Sequence, residues 1–472
     1  MCWLPILILI VAFEIICLQP ALAGLSVKYL PGFERPLPFQ LETGYIGVGE
    51  ADEVQLFYYF IKSQSNPKVD PLIYWFTGGP GCSPLSGIFF EFGPITLDTR
   101  AYNGSLPTLS LNPHAYTKVA SMIFVDLPVG TGFSYATTQK ANYSDDLQSA
   151  NHAYEFLRKW LIEHQEYLNN PFYVAGDSYS GITVPIVTQV ISNGIDRGIK
   201  PWINLKGYIL GNPFTFAGQD YYRIPFAHGM GLIPDELYKS LVTNCEEESI
   251  HNGPTNPLCS RDMHTFNWLT KDIYQYNILE SPCELVSNDS RRWLTENVLK
   301  LKNSATYPQV KCRKEWHDLS LIWANDNNVR DALHVRKKTI GAWEECRRNL
   351  SFGTIINNTI PYHANLSRNG FRSLIYSGDH DLVVPFISSQ VWIKSLNYSI
   401  IDDWKPWIVD GQVAGYTRSY SNQMTFVTVK VRNYEICFNF LFFFMTRKTR
   451  SRYPLGAHRV NPRSYAIAHK TT

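Results

Sequence analysis

Short apolar runs recur along the chain, and each ends in a turn rich in glycine, proline or acidic residues. Runs of strand type occupy residues 71–76, 121–126, 171–175, 205–210, 373–376 and 424–429. Continuous apolar runs of this kind are typical of strands buried on both faces of a sheet. Helix-type stretches separate several of them, the clearest at residues 144–169 and from residue 182 onward. We therefore predict an α/β fold, with a mostly parallel central sheet flanked by helices.

Two other regions depart from this alternation. Residues 42–48 and 54–63 are β-prone and predict an antiparallel pair. From about residue 214 to residue 323 the strand-like runs thin out, and charged, helix-like sequence takes over. We interpret this stretch as a helical cap inserted over the sheet, within one domain that spans residues 24–430.

One strand leads directly into the G-x-S-x-G pattern of Gly176, Ser178 and Gly181. A strand that enters a helix through so tight a turn forces its central residue into a strained conformation and lifts the side chain clear of the sheet. The flanking glycines are needed because side chains there would collide with the neighbouring strand and helix. The pattern predicts Ser178 as an exposed nucleophile, although the bare motif also occurs by chance.

A serine nucleophile needs an imidazole to take its proton and a carboxylate to orient that imidazole. In α/β-hydrolase order the acid follows the serine. Asp381 fits because it lies on the turn after a late strand, about two hundred residues beyond Ser178. Asp379 on the same turn is the competing candidate, and a purely structural N-cap or turn aspartate is the alternative for either.

The glycine loop at residues 78–81 (G-G-P-G) can bring a backbone N–H group close to a developing oxyanion. The amide after the nucleophile supplies a second donor. We therefore predict the N–H groups of Gly79 and Tyr179 as the oxyanion hole, with a simple tight turn as the alternative. The absence of the lysine and of the serine or threonine of that pattern argues against a phosphate-binding loop.

Composition narrows the function classes. The chain has 472 residues, 45% of them hydrophobic, which suits one large α/β domain with insertions, or two domains. Its net charge of +2 gives no nucleic-acid footprint. No C-x-x-C pair is present, which argues against zinc. We predict no metal, no cofactor and no nucleic-acid partner.

The N-terminus predicts entry into the secretory pathway. Residues 4–18 are apolar apart from Glu14, and the small residues Ala-Leu-Ala follow at 21–23. This pattern indicates a signal peptide at residues 1–23, too short for a membrane span, with a buried helix as the alternative. Secretion or vacuolar delivery would agree with the glycosylation sequons at Asn103, Asn142, Asn288, Asn349, Asn357, Asn365 and Asn397.

Six of the nine cysteines lie between the predicted signal peptide and the C-terminal tail. An even number in a secreted chain predicts disulfides, and six cysteines allow 15 pairings. They are Cys82, Cys245, Cys259, Cys283, Cys312 and Cys346.

Five motifs together resemble the serine carboxypeptidase family of α/β-hydrolases, in its plant serine carboxypeptidase-like branch. They are W-F-T-G-G-P-G-C-S (75–83), F-F-E-F-G-P (89–94), D-L-P-V-G-T-G-F-S-Y (126–135), G-D-S-Y-S-G (176–181) and S-G-D-H-D-L-V-V-P (377–385). The resemblance implies Ser178 as nucleophile, Asp381 as acid, and an ester or peptide substrate. It also implies the disulfides Cys82–Cys346, Cys245–Cys259 and Cys283–Cys312.

One departure from the family concerns substrate recognition. True carboxypeptidases place asparagine where Thr77 stands and glutamate where Asp177 stands, and these groups hold the terminal carboxylate of the peptide. Here the asparagine is absent and the acid is one methylene shorter, so recognition of a carboxylate is weakened. This pattern resembles the branch that moves acyl groups from glucose esters onto alcohols. A carboxypeptidase is the alternative. We predict a substrate site formed by Trp75, Thr77, Gly78, Glu91 and Asp177, in which Glu91 hydrogen-bonds Asp177.

A second departure concerns the catalytic base. The family closes with a strand and a glycine-rich turn that carries a histidine in a G-H-x-P-like motif, whereas this chain continues after Lys430 without it. His458 and His469 lack the family context. We interpret residues 431–472 as an atypical tail, from a retained intron or a mis-joined exon, and not as part of the fold. An isoform that binds substrate but is catalytically impaired is therefore a third hypothesis.

Overall fold

The computed structural model describes residues 24–98, 102, 104–246, 253, 256–280, 313–409 and 411–430. The predicted signal peptide, the tail and residues 281–312 lie outside these ranges.

Sixteen strands form in the described residues, and twelve of them build one sheet. In chain order they are Leu25–Val27 (β1), Leu41–Val48 (β2), Val54–Ile61 (β3), Leu72–Phe76 (β4), Ile95–Asp98 (β5), Thr108–Leu111 (β6), Ser121–Val125 (β7), Tyr135–Ala136 (β8), Ser144–Asp145 (β9), Phe172–Asp177 (β10), Leu205–Gly211 (β11), Phe352–Gly353 (β12), Arg372–Gly378 (β13), Ile400–Val409 (β14), Gln412–Tyr420 (β15) and Met424–Val429 (β16).

The large sheet has the order β1-β2-β3-β7-β4-β10-β11-β13-β16-β15-β14, and β8 pairs with β3. Its six middle strands, from β7 to β16, are parallel. The strands on either side are antiparallel. The predicted α/β-hydrolase architecture is therefore confirmed, and the carboxyl ends of the six parallel strands meet at one edge of the sheet.

Ten α-helices accompany the strands in the described residues. They are Leu85–Phe90 (α1), Asp146–Glu163 (α2), Ser180–Asp196 (α3), Arg223–Gly229 (α4), Asp235–Asn244 (α5), Pro257–Thr270 (α6), Arg313–Asn325 (α7), Asn327–Ala332 (α8), Ile360–Arg368 (α9) and Phe386–Ser395 (α10). Short 3-10 turns occur at Glu50–Asp52, Tyr116–Lys118, Lys140–Asn142, Gln165–Tyr167 and Gln219–Tyr222.

Helices cover both faces of the parallel strands, which explains their continuous apolar sequences. Alternate residues of β4 enter different hydrophobic clusters: Ile73 and Trp75 pack with α1 and α7, whereas Tyr74 and Phe76 pack with α2 and α3. Because both faces are buried, every position of such a strand favours an apolar side chain.

The structure changes three helix bounds and adds strands that were not predicted, among them β14 and β15. The predicted helix at 144–169 begins later because the Asp145 side chain caps it, accepting hydrogen bonds from the N–H groups of Leu147 and Gln148. Its regular part ends at Glu163, before a 3-10 turn. The helix predicted from residue 182 starts at Ser180. Strands β14 and β15 had no clear sequence signal because β14 is largely exposed and interrupts its apolar residues with Asp402, Asp403 and Pro406.

The region predicted as a cap contains helices α4 to α7 and a hydrophobic cluster of its own. Phe226, Leu241 and Phe266 lie in this cluster, together with the disulfide between Cys245 and Cys259. Residue 382 of the predicted acid turn also packs there. The limits of the cap as a domain remain a prediction.

Candidate active site

Ser178 lies on the turn between β10 and α3, at the centre of the carboxyl edge of the sheet. Its φ angle is +53°, in the left-handed region that non-glycine residues rarely adopt. The surrounding backbone holds this conformation, because Ser178 N–H donates to the carbonyl of Gly211 at 2.9 Å and its carbonyl accepts from Phe214 N–H at 2.8 Å. The turn therefore has the strained geometry that the motif predicts.

Three glycines leave the space that this turn requires. A Cβ on Gly176 would lie 2.5 Å from the carbonyl oxygen of Phe76, and one on Gly181 would lie 2.3 Å from that of Phe214. A Cβ on Gly78 would lie 2.7 Å from the Cβ of Ser178. Larger residues at these positions would have to displace backbone.

Gly78→Ala should slow covalent labelling of Ser178 by a fluorophosphonate by about 100-fold. The added methyl group would push against both the Ser178 side chain and the Tyr179 amide, 2.8 Å away, and so misplace the reacting groups. The rate of labelling, with the native chain as reference, measures the effect. Gly341→Ala is the control because nothing lies within 4 Å of its added Cβ. Equal rates for the two variants would contradict the described packing of the turn.

The groups predicted to react at this turn make no hydrogen bonds to other described residues. Within the described residues, the N–H groups of Gly79 and Tyr179 have no acceptor, and the Ser178 hydroxyl has no hydrogen-bond partner. Gly79 is exposed and Ser178 is half-buried. Two backbone donors and one hydroxyl thus lack internal partners at the sheet edge, and their role as an oxyanion hole and nucleophile remains a prediction.

A disulfide and two backbone hydrogen bonds hold the glycine loop. Cys82 is bonded to Cys346, 264 residues away. On either side of it, Ser83 N–H donates to the carbonyl of Glu345 at 2.7 Å, and Arg347 N–H donates to that of Gly81 at 3.0 Å. The loop is therefore fixed to a distant segment of the chain.

Asp126 also holds the glycine loop in place, through a hydrogen bond to Ser83 at the end of the loop. Its buried carboxylate accepts from the Ser83 hydroxyl at 2.5 Å and from Phe133 N–H at 2.8 Å. Burial raises the pKa of Asp126 to about 7, against the lowering effect of these two hydrogen bonds. This residue anchors the loop and does not reach the surface, because it is fully buried.

Asp381 lies on the turn that follows β13. Its carboxylate accepts from the N–H groups of Val383 at 2.7 Å and Val384 at 3.1 Å. Burial raises its pKa to about 7; the two hydrogen bonds and the positive charge of Arg223 oppose the rise, and the negative charge of Asp177 adds to it. The competing candidate of the same turn, Asp379, instead lies 2.7 Å from the ring Nδ1 of its neighbour His380.

The predicted substrate-binding residues gather on the other side of Ser178. Asp177 accepts from Gly78 N–H at 3.2 Å, and burial raises the pKa of its carboxyl group. Trp75 is only 1% exposed, and its indole N–H donates to the Thr77 hydroxyl at 3.1 Å. Trp75 therefore lies beneath Thr77, which is itself half-buried.

Glu91 occupies the carboxyl end of α1, which packs against the same tryptophan. Its predicted hydrogen bond to Asp177 and the substrate-binding role of the whole set remain predictions.

Sequence analysis missed two side chains that tie the site together. Asn212 follows β11; its amide donates to the carbonyl of Val384 at 3.0 Å, and its side-chain oxygen accepts from Gly378 N–H at 2.9 Å. It thereby joins the end of β11 to the Asp381 turn. Its position directly after a parallel strand was the available signal. Asp146 accepts from the Tyr179 hydroxyl at 2.8 Å, and nothing in the sequence indicated this.

Two of the three implied disulfides are present, Cys82–Cys346 and Cys245–Cys259. The third, Cys283–Cys312, lies outside the described residues. No helix in the described ranges is both long and apolar enough to cross a bilayer.

Comparison with known proteins identifies the family. The family model described as serine carboxypeptidase matches residues 31–432. Serine carboxypeptidase-like 2 of Arabidopsis thaliana is 53% identical over 405 residues, which are 86% of this chain and 87% of that protein. Serine carboxypeptidase-like 12 of the same plant is 50% identical over 411 residues, 86% and 89% of the two chains.

The fold agrees with this match. The crystal structure of KEX1(DELTA)P, a prohormone-processing carboxypeptidase from Saccharomyces cerevisiae, superposes with a TM-score of 0.70 at 22% identity. The match covers 89% of this chain and 94% of that one. The chain therefore belongs to the serine carboxypeptidase family.

Proposed function

We propose that this protein forms an acyl-enzyme at Ser178 and transfers the acyl group from a glucose ester to an acceptor alcohol. The observation that carries the proposal is the pair Thr77 and Asp177, beside the Ser178 turn. The Thr77 hydroxyl accepts the indole N–H of Trp75, so one of its lone pairs is already engaged. This pair offers a peptide carboxylate fewer donors than the asparagine and glutamate of carboxypeptidases.

In the first half-reaction the Ser178 oxygen attacks the carbonyl carbon of the ester. The carbonyl oxygen becomes an oxyanion, which accepts hydrogen bonds from the N–H groups of Gly79 and Tyr179. The bond between the carbonyl carbon and the glucose oxygen then breaks, and the proton taken from Ser178 passes through the general base to that oxygen. Glucose leaves, and the acyl group stays on Ser178.

In the second half-reaction an acceptor hydroxyl attacks the acyl carbon. The same base takes the proton of this hydroxyl and returns it to Ser178 as the Ser178–acyl bond breaks. Transfer instead of hydrolysis requires that the acceptor occupies the place of water.

The general base is the open part of this mechanism. In the described residues no histidine is hydrogen-bonded to the Ser178 hydroxyl. The base that the family supplies follows the last parallel strand, and the sequence there has no G-H-x-P-like turn. Without an imidazole, only the oxyanion hole and substrate binding would accelerate the reaction, and the rate would be a small fraction of that with the full set of catalytic groups. This favours impaired catalysis in the 472-residue form.

One observation favours carboxypeptidase activity as the second candidate. Burial raises the pKa of Asp177. Below that pKa the carboxyl group is protonated and can donate a hydrogen bond to a peptide carboxylate, whereas above it two negative charges would repel. Peptide cleavage should therefore increase as pH falls through the pKa of Asp177, and transfer from a neutral glucose ester should not.

Combining Thr77→Asn with Asp177→Glu should raise the ratio of peptide cleavage to acyl transfer by about 100-fold. The new amide and the longer acid restore hydrogen bonds to a carboxylate, each worth about 1.5 kcal/mol or more. Blocked dipeptides and phenolic glucose esters, assayed in parallel, give the ratio. Thr265→Asn, at an exposed position of α6, is the control. A native chain that cleaves dipeptides faster than it transfers acyl groups would overturn the proposal.

Entry into the secretory pathway is part of the proposed function. Four of the sequon asparagines are exposed and could accept a glycan: Asn142, Asn349, Asn357 and Asn397. Asn365 is half-buried, and its amide donates to the side chain of Gln189 at 2.6 Å, so a glycan there would break that bond. Asn103 and Asn288 lie outside the described residues. Glycopeptide mapping of protein from plant cells tests these sites.

A further inference from the structure

One half-buried cation lies beside the predicted acid and takes no part in the chemistry described above. Arg223 begins α4, in the predicted cap, and its charge acts on both Asp381 and Asp220. Its Nε is buried and has no hydrogen-bond partner in the described part of the chain. A guanidinium that is withdrawn from water and not fully hydrogen-bonded is costly, so its position calls for a physical reason.

Gln275 connects this cation to the acid turn through two hydrogen bonds. Its side-chain oxygen accepts from Nη2 of Arg223 at 2.8 Å. Its backbone carbonyl accepts from the N–H of Leu382, the residue after Asp381, also at 2.8 Å. One residue of the cap therefore holds the arginine with its side chain and the acid turn with its backbone.

The packing around these bonds belongs to the cap as well. Leu382 lies in the same hydrophobic cluster as the Cys245–Cys259 disulfide. The Phe266 ring on α6 lies 5.8 Å from the guanidinium carbon of Arg223, within the range of a cation–π contact. The Asp381 turn is therefore built on the cap as much as on the sheet.

We propose that Arg223, held by Gln275, is a positioning residue: through Gln275 it ties the Asp381 turn to the packing of the cap, and its positive charge acts on the Asp381 carboxylate. An ionised acid is what the imidazole of a serine hydrolase requires, because only the anion stabilises the imidazolium that forms.

The charges around Asp381 determine the direction in which its pKa changes when Arg223 is removed. Arg223 is the cation that faces it from α4, Asp177 is the anion that faces it from β10, and Asp379 and His380 share its own turn. Removal of Arg223 leaves burial and Asp177, which both raise the pKa of Asp381. Ionisation should then require a higher pH, by about one pH unit.

The first test needs no catalytic activity. The free energy of unfolding is measured against pH in denaturant for the native chain, Arg223→Gln and Arg223→Lys. An acid with a raised folded pKa contributes stability at low pH that is lost as pH rises from its unfolded pKa towards its folded pKa. In Arg223→Gln this loss should extend about one pH unit higher, and Arg223→Lys should restore the native curve.

The same comparison is repeated in a chain that carries Asp381→Asn, to test whether the effect of Arg223 depends on Asp381. There the change from Arg223 to Gln should leave the shape of the pH curve unaltered, because the group that titrates is gone. The proposal is overturned if Arg223→Gln has the native pH dependence, or if its altered curve persists in Asp381→Asn. If Arg223→Gln does not fold, Gln275→Leu replaces it and should shift the curve in the same direction by a smaller amount.

The second test rests on the proposed function and uses the pH profile of fluorophosphonate labelling at Ser178. The acid limb of this profile should move to higher pH in Arg223→Gln and return in Arg223→Lys. A profile that does not move while labelling persists would contradict the proposal. Absence of labelling in every form would count against the proposed catalysis, while the unfolding curves would still decide the role of Arg223.

Discussion

Replacing the residues after Lys430 with a glycine-rich Gly-His-x-Pro turn should speed fluorophosphonate labelling of Ser178 by about 1000-fold or more. The reason lies in the sheet: β13 and β16 are parallel neighbours, with Gly378 opposite Val429. Asp379 N–H donates to the carbonyl of Val429 at 3.0 Å. A turn that follows β16 therefore starts beside the turn that carries Asp381, where an imidazole can lie between acid and serine.

The matched control carries the same glycine-rich turn with glutamine in place of the histidine. It should label no faster than the native chain, because glutamine cannot take the proton of Ser178. Any gain that comes from the new backbone alone would appear in this control. Equal labelling of the native and histidine-bearing chains would contradict the account, since it would mean that a base is already in place or that the turn cannot reach the serine.

Asp126→Ala should lower the free energy of unfolding by about 3 to 5 kcal/mol, measured from denaturant curves. Its carboxylate is the buried acceptor of the Ser83 hydroxyl and of Phe133 N–H. Alanine would leave both donors buried without a partner, and each such group costs about 1 to 3 kcal/mol. The variant should also slow labelling of Ser178, because the glycine loop loses its support. Asp272→Ala is the control, since that side chain is 74% exposed.

The pH dependence of stability separates charge from packing at this site. The folded pKa of Asp126, about 7, exceeds its ordinary value of 3.8, so its contribution is greatest at low pH and is lost as pH rises towards 7. Asp126→Asn should flatten part of this slope, and Asp381 and Asp177, whose pKa values burial also raises, should maintain the rest. An unchanged slope in Asp126→Asn would contradict a buried, titrating carboxyl group.

The sequence predicted the centre of the sheet well, for a physical reason. Strands such as β4 and β10 are buried on both faces, so their apolar runs stand out, and the turns after them must be rich in glycine. Strand β14 is different. It lies at the sheet edge with Ile401 68% exposed, and its charged residues and proline protect an open edge from pairing with other chains. These protective residues hide the strand from a periodicity argument.

The candidate site was predictable where backbone shape determines the residue type. The glycines around Ser178 are examples, because a side chain there would collide with backbone. The contacts of Arg223 and Gln275 were not predictable, since they join residues about 50 and 100 positions apart along the chain. Only the packing of the cap against the acid turn brings these polar side chains together.

Trapping of the acyl-enzyme tests the central claim most directly. The chain with the restored histidine turn is mixed with a phenolic glucose ester, quenched in acid within one turnover, and digested for mass spectrometry. The account predicts that the acyl mass lies on Ser178 and is lost in Ser178→Ala. Turnover of the ester without any acyl group on Ser178, or with the group on another residue, would contradict it.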